Sequence, residues 1–161
     1  MIQRVSRRWR ASETALLAGA LLFAGAPLAA QSGGPAIVQV QAPGSVQQVV
    51  AKLKKMVGQN GMMVMGTLDQ GKVLSMTGLH VQTETLFVGN PQVGKKLFSA
   101  DPGVGLVVPV RVNVYQNAEG RTVVSYLPPS VLLKDYGNPA IDKVAQMLDT
   151  KLHKMVTMLG S

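Results

Sequence analysis

Residues 107–127 read VVPVRVNVYQNAEGRTVVSYL, and this stretch decides the fold. Val108, Val110, Val112 and Val114 alternate with Pro109, Arg111, Asn113 and Tyr115. A period of two marks a strand with one buried face and one open face. Asn117-Ala118-Glu119-Gly120 is a turn, so Arg121–Leu127 returns as the antiparallel partner. A four-residue turn pairs Gln116 with Arg121. It sets Arg111 opposite Tyr126, Asn113 opposite Val124 and Tyr115 opposite Thr122. Arg111, Asn113, Tyr115 and Tyr126 are therefore expected together on the face away from the Val112/Val114 core.

Downstream, Pro128-Pro129 stops the hairpin and Ser130–Tyr136 fits a short helix. Asn138 then caps a long helix, with Pro139 at its first position, where a missing N–H costs nothing. Ile141, Val144, Ala145, Leu148, Leu152, Met155, Val156 and Leu159 form one apolar stripe that needs a sheet to cover. Upstream, Ser45 and Gln48 have the spacing of a capping box. Val46, Val49, Val50, Leu53, Met56 and Val57 follow on one helical face, and Gly61 ends that helix. Ile37–Gln41 alternates as a half-buried strand, and Met62–Leu68 reads as a second strand, well buried. Residues 69–82 read as a long irregular connection. Thr85–Val88 is a short apolar strand, Gly89-Asn90-Pro91 a turn, and Gly94–Ala100 one or two helical turns. The order is strand, helix, several mostly antiparallel strands, helix. That predicts an α+β two-layer domain with two long helices on one face of the sheet.

The middle of the chain carries a family resemblance. Gly89-Asn90-Pro91, Gly94, Leu97, Asp101-Pro102, Gly105, Pro109 and the hairpin Val114-Tyr115…Gly120…Ser125-Tyr126 run in a characteristic order. In this the chain resembles the bacterial and archaeal family known as domain of unknown function 302, over roughly residues 37–136. Two features depart from the family's habit: Lys95-Lys96 after Gly94, and Val108-Pro109-Val110 in place of Leu-Pro-Leu. The resemblance implies a fold like that of the TATA-box-binding protein, with a curved antiparallel sheet. It also implies a homodimer, and it implies no reaction.

The N-terminus reads as an export signal. Arg4, Arg7, Arg8 and Arg10 precede an apolar run from Ala15 to Ala26, Pro27 breaks the run, and Ala29-Ala30 offer small side chains for a cut after Ala30. The run falls short of the ~20 residues of a permanent anchor, so no stable transmembrane segment is expected. Arg10 stands where a twin-arginine signal places an apolar residue, which favours the general secretory route. Residues 31–36 (QSGGPA) form a flexible lead-in, and 37–161 a single domain that is periplasmic or secreted.

The formal charge of +8 overstates the basic character of that domain. Residues 1–30 hold four Arg and one Glu, which leaves +5 on the remainder. Ten of the twelve remaining cations are lysines, a solvated surface rather than a phosphate-reading one. No nucleic-acid partner is expected. The chain has no cysteine, so thiol nucleophiles, zinc–thiolate sites and disulfides are excluded.

Four groups of residues could carry function. Arg111, Asn113, Tyr115 and Tyr126 would form a polar-aromatic sheet face suited to a small ligand or a partner protein. Gly89 and Asn90, with Lys95 and Lys96, would form an anion-binding turn. Met62, Met63 and Met65 offer thioethers for Cu(I), with Met62 pointing away from the other two. Glu84, Asp101 or Glu119 beside His80 or Arg111 would be the minimum for a carboxylate enzyme. With two histidines, no cysteine and few carboxylates, no catalytic residue, resident metal or cofactor is expected. The leading expectation is a non-enzymatic exported domain that binds through its open sheet face. A carboxylate enzyme and a methionine-based Cu(I) carrier are the alternatives.

Overall fold

Five strands and five helices build the domain in a computed structural model that describes residues 37–161. The signal and lead-in expected over 1–36 lie outside the described residues. In chain order the elements are β1 (Val38–Gln41), α1 (Val46–Gln59), β2 (Met63–Leu68), α2 (Gln70–Ser75), β3 (Thr83–Gly89) and α3 (Pro91–Ala100). They continue with β4 (Val110–Gln116), β5 (Thr122–Tyr126), α4 (Pro129–Leu133) and α5 (Pro139–Thr157). The strands form one antiparallel sheet in the order β1-β5-β4-β3-β2. This is the α+β architecture that the two periodicities predict.

The long helices form where the capping chemistry placed them. The Ser45 side chain accepts from the Gln48 N–H, and Gln48 Oε1 accepts from the Ser45 N–H at 2.9 Å, which closes the box. Asn138 Oδ1 accepts from the Ala140 N–H at 2.9 Å at the start of α5. The apolar stripe of α1 and the C-terminal half of α5 cover one face of the sheet. There Leu53, Leu86, Val112, Val124, Leu152 and Met155 share a core from which water is excluded. The N-terminal half of α5 packs differently. Ile141, Ala145 and Leu148 meet Leu97 of α3, Leu133 of α4 and Val104 in a second core beyond the sheet. Among the described residues no helix is long and apolar enough to cross a membrane.

Four local expectations change. Strand β2 lies at the sheet edge with Met63, Met65 and Leu68 exposed, and only Met62, just before it, is buried. A run of apolar residues does not tell a central strand from an edge strand. Val64 pairs with Val88 and Gly66 with Phe87, so Met65 is the extra residue of a β-bulge, a device common at edges. Residues 69–82 contain α2, whose N-terminus Asp69 caps by accepting from the Lys72 N–H at 2.8 Å. Helix α3 begins at Pro91 rather than Gly94, because Asn90 is its N-cap.

The fourth change is the hairpin register. Gln116 pairs with Thr122, Val114 with Val124 and Val112 with Tyr126. The Asn117 N–H donates to the Arg121 carbonyl at 2.9 Å, and Asn117 Oδ1 accepts from the Arg121 N–H at 2.8 Å. The loop is thus residues 118–120, closed by Gly120 at φ +75°, a left-handed value that favours glycine. Three loop residues instead of four slide β5 by one position. A one-residue slide sends every side chain of a strand to the opposite face.

Candidate functional site

The sheet face away from α1 and α5 carries a groove. Its floor comes from alternate residues of adjacent strands: Thr85 and Phe87 of β3, Arg111 and Asn113 of β4, and Ser125 of β5. The segment Gly105–Pro109 ahead of β4 forms one wall, with Leu132 of α4 and Gln70 of α2 on other sides. Together they bound a groove of about 790 Å³. That volume lies in the ~300–1,000 Å³ range of small-molecule sites. Leu106 stands at the rim almost fully exposed, at 92%, and Ile37 of the strand entry is 57% exposed. Among the described residues no aspartate, glutamate or lysine lines the groove.

The polar floor is ordered by a chain of hydrogen bonds. Gln70 Nε2 donates to Thr85 Oγ1 at 2.8 Å, and Thr85 Oγ1 lies 3.1 Å from both Gln70 Oε1 and Asn113 Oδ1. A hydroxyl that accepts from Gln70 Nε2 has its single proton left for Asn113. The Thr83 hydroxyl donates to the same Asn113 Oδ1 at 3.1 Å. Both lone pairs of the carboxamide oxygen are thereby used, and the NH₂ group has no acceptor among the described residues. Arg111 has no carboxylate within ion-pair distance among the described residues, whereas Arg121 pairs with Glu119 at 3.3 Å and Lys54 with Glu84 at 3.1 Å.

The four residues expected on this face divide. Arg111 and Asn113 line the groove, and Tyr126, though buried, contributes to its lining. Tyr115 shares their face at the other end of the strand, where its hydroxyl accepts from Gln39 Nε2 at 3.4 Å, across its buried strand partner Val123. Tyr126 turns into the core, 4% exposed, because the three-residue loop reverses the parity of β5. Burial pushes its phenol up to about 12, with the charge of Asp149 adding to the effect. Sequence reasoning missed Ser125, Phe87 and Thr85. The alternation of β3, extended by one pair, would have found Phe87 and Thr85, and the correct loop length would have found Ser125.

At the Gly89-Asn90 turn, Asn90 Oδ1 accepts from the Gln92 and Val93 N–H groups at 2.8 and 3.0 Å. Those are the donors an anion would use. Asn90 Nδ2 donates to the Gly61 carbonyl at 2.6 Å and so ties α3 to the end of α1. Gly89 packs beside Met65, whose methyl carbon lies 3.0 Å from where a Cβ would stand. Lys95 and Lys96 follow on α3, both exposed.

Two further arrangements bear on the alternatives. Glu84 and His80 both line a cleft of about 320 Å³ with Asp69 and Lys72, so the pocket condition for a carboxylate enzyme is met at Glu84. Each carboxylate there already has a protein donor: Glu84 holds Lys54, and Asp69 holds the first turn of α2. Asp101 accepts from the Gly103 N–H at 2.7 Å, outside that cleft. Met63 and Met65 are about half exposed, at 47% and 48%, while Met62 points inward as the strand period requires. Among the described residues no three of His, Asp and Glu converge as a metal site would need.

Comparison with known proteins adds the following. The profile of a family described as "Domain of unknown function DUF302" matches residues 38–159. A crystal structure of an uncharacterized conserved DUF302 protein from Bacillus stearothermophilus superposes with a TM-score of 0.71 at 22% identity. The match covers 76% of this chain and 97% of that one. No curated protein matches the chain.

Proposed function

The chain belongs to the DUF302 family, and on that premise we propose that it is an exported, non-enzymatic domain that binds a small ligand on its open sheet face. One observation carries this reading. The face opposite the two long helices holds a groove of ligand size, with apolar walls and an ordered polar floor around Arg111, which has no acidic partner among the described residues. Concave, mostly apolar surfaces with a few convergent polar groups are where small molecules bind. The carboxylates that could do acid–base work are engaged elsewhere: Glu84 with Lys54, Glu119 with Arg121, and Asp69 and Asp101 at helical caps. That favours binding over catalysis.

Ser125→Trp tests the groove. Ser125 is half-buried on the floor, and an indole there fills the space without entering the core. The native protein, purified from its cell envelope, is expected to carry a co-purifying small molecule in native mass spectrometry. S125W is expected to lose that molecule and keep its circular-dichroism spectrum. Equal retention by both proteins contradicts the reading. A dimer with no small molecule, dissociated by S125W, assigns the face to a second copy of the chain instead.

Export has its support in residues 1–30: four arginines, a short apolar run and small residues before Gln31. N-terminal sequencing of the protein from its native cell is expected to begin at Gln31. A chain still beginning at residues 1–10 sinks this part of the proposal.

A further inference from the structure

We infer that the groove takes a monoanionic amphiphile, which sets a carboxylate on Arg111, Asn113 and Ser125 and lays its apolar part between Phe87 and Leu132. This rests on the reading of the open face as a ligand groove. It names the chemical class of that ligand from the balance of donors and acceptors on the floor.

Around Arg111 the uncommitted polar side chains of the floor are donors or can act as donors, and Gln70 Oε1, left without a proton when Thr85 turns to Asn113, is the acceptor at the far side. The Asn113 oxygen is saturated by Thr83 and Thr85, so this residue presents its NH₂. Ser125, directly opposite Asn113 on the neighbouring strand, offers a hydroxyl with no side-chain partner among the described residues. Arg111 lies two positions from Asn113 on the same face, roughly 7 Å along the strand, a gap that its long stem closes. Its guanidinium presents a planar fork that matches the two oxygens of a carboxylate. Among the described residues no acidic side chain lines the groove to repel an anion or to receive a cation.

The charge count selects the head group. One guanidinium is the sole cation lining the site among the described residues, which neutralises a single negative charge. A phosphate carrying close to two charges would keep one uncompensated beside apolar walls, an expensive arrangement. The apolar residues select the remainder. Phe87, Leu106, Pro109, Leu127 and Leu132 line the groove beside a polar floor of Thr85, Arg111, Asn113 and Ser125, so a ligand that fills it carries an apolar part next to its head group.

Decanoate and its neutral counterpart decanol provide the test, by titration into the isotopically labelled full chain with amide shifts as the readout. Decanoate is expected to shift the amides of Phe87, Asn113 and Ser125 and to bind about tenfold or more tightly than decanol. Arg111→Met is expected to bring decanoate down to the affinity of decanol and to leave decanol unchanged. Arg111 is exposed, so the variant keeps its fold. Equal affinities for the two probes in the native chain overturn the anionic assignment and leave the groove standing. Tighter binding of decyl phosphate than of decanoate overturns the carboxylate. Shifts from neither probe overturn the ligand groove itself.

Discussion

Leu53→Ala lowers the free energy of unfolding by about 2–5 kcal/mol. Leu53 sits in the middle of the apolar stripe of α1 and has no solvent exposure. Its side chain belongs to the core shared with Leu86 of β3, Val112 of β4 and Leu152 of α5. Truncation removes the transfer free energy of three carbons and leaves a cavity. The surrounding strands, fixed by their ladders, close it only in part. The chain has no cysteine, so no disulfide restrains the unfolded state and the loss falls on packing alone. Urea denaturation followed by far-UV circular dichroism measures it. Met147→Ala on α5, where the side chain is 45% exposed, is the control and is expected within about 0.5 kcal/mol of the parent. A Leu53 variant as stable as the Met147 variant would mean that α1 is not seated on the sheet.

Tyr126 makes the domain lose stability in alkali, by about 1–2 kcal/mol by pH 12 once the solvent that reaches its hydroxyl is allowed for. Its folded pKa of about 12 lies above the ordinary 10.0, first because burial disfavours the phenolate and then because Asp149 repels it. The native state therefore holds a proton that the unfolded chain releases. The contribution is intact below pH 10, declines as pH climbs from 10 towards 12, and is lost above that. Other groups titrate in this range too, so the useful quantity is the difference between the parent and Tyr126→Phe. That difference is expected to be constant below about pH 9 and then to shift in favour of the phenylalanine variant by this amount. Parallel stability curves from pH 8 to 12 would contradict it. The same measurement reads the hairpin register, because a Tyr126 on the open face would titrate in contact with water.

The layers and their order were legible because burial leaves a local trace. Valines at every second position of residues 108–114 require a sheet with one covered face. The stripes of α1 and α5 repeat at helical spacing, and their caps at Ser45 and Asn138 are satisfied by atoms within three residues. The family resemblance drew on another local record, the glycines and prolines between residues 89 and 109. All these signals lie within one element or one turn.

The site was half legible for the same reason. Arg111 and Asn113 follow from the alternation of β4 itself. Tyr126 and Ser125 depend on where β5 pairs, and that turned on one loop residue. Gly120 in a left-handed conformation and the Asn117 carboxamide close a three-residue loop, so Ser125 takes the place opposite Asn113 expected for Val124, and Tyr126 leaves the open face. Helix α2, capped by the Asp69 side chain, has only six residues, too few to show a helical stripe.

By itself the sequence determined the α+β class, the two helices and their buried faces, and the placing of Arg111 and Asn113 on the face of β4 away from the core. Periodicity and capping act over a few residues and need no knowledge of the partner. The tertiary structure decided that β2 is an edge, that Tyr126 is core, and that Thr83 and Thr85 saturate the oxygen of Asn113. It also decided that no acid stands within reach of Arg111 among the described residues. Each of these depends on strand order or pairing register, where contacts join residues far apart in the chain and a single loop residue reverses a face.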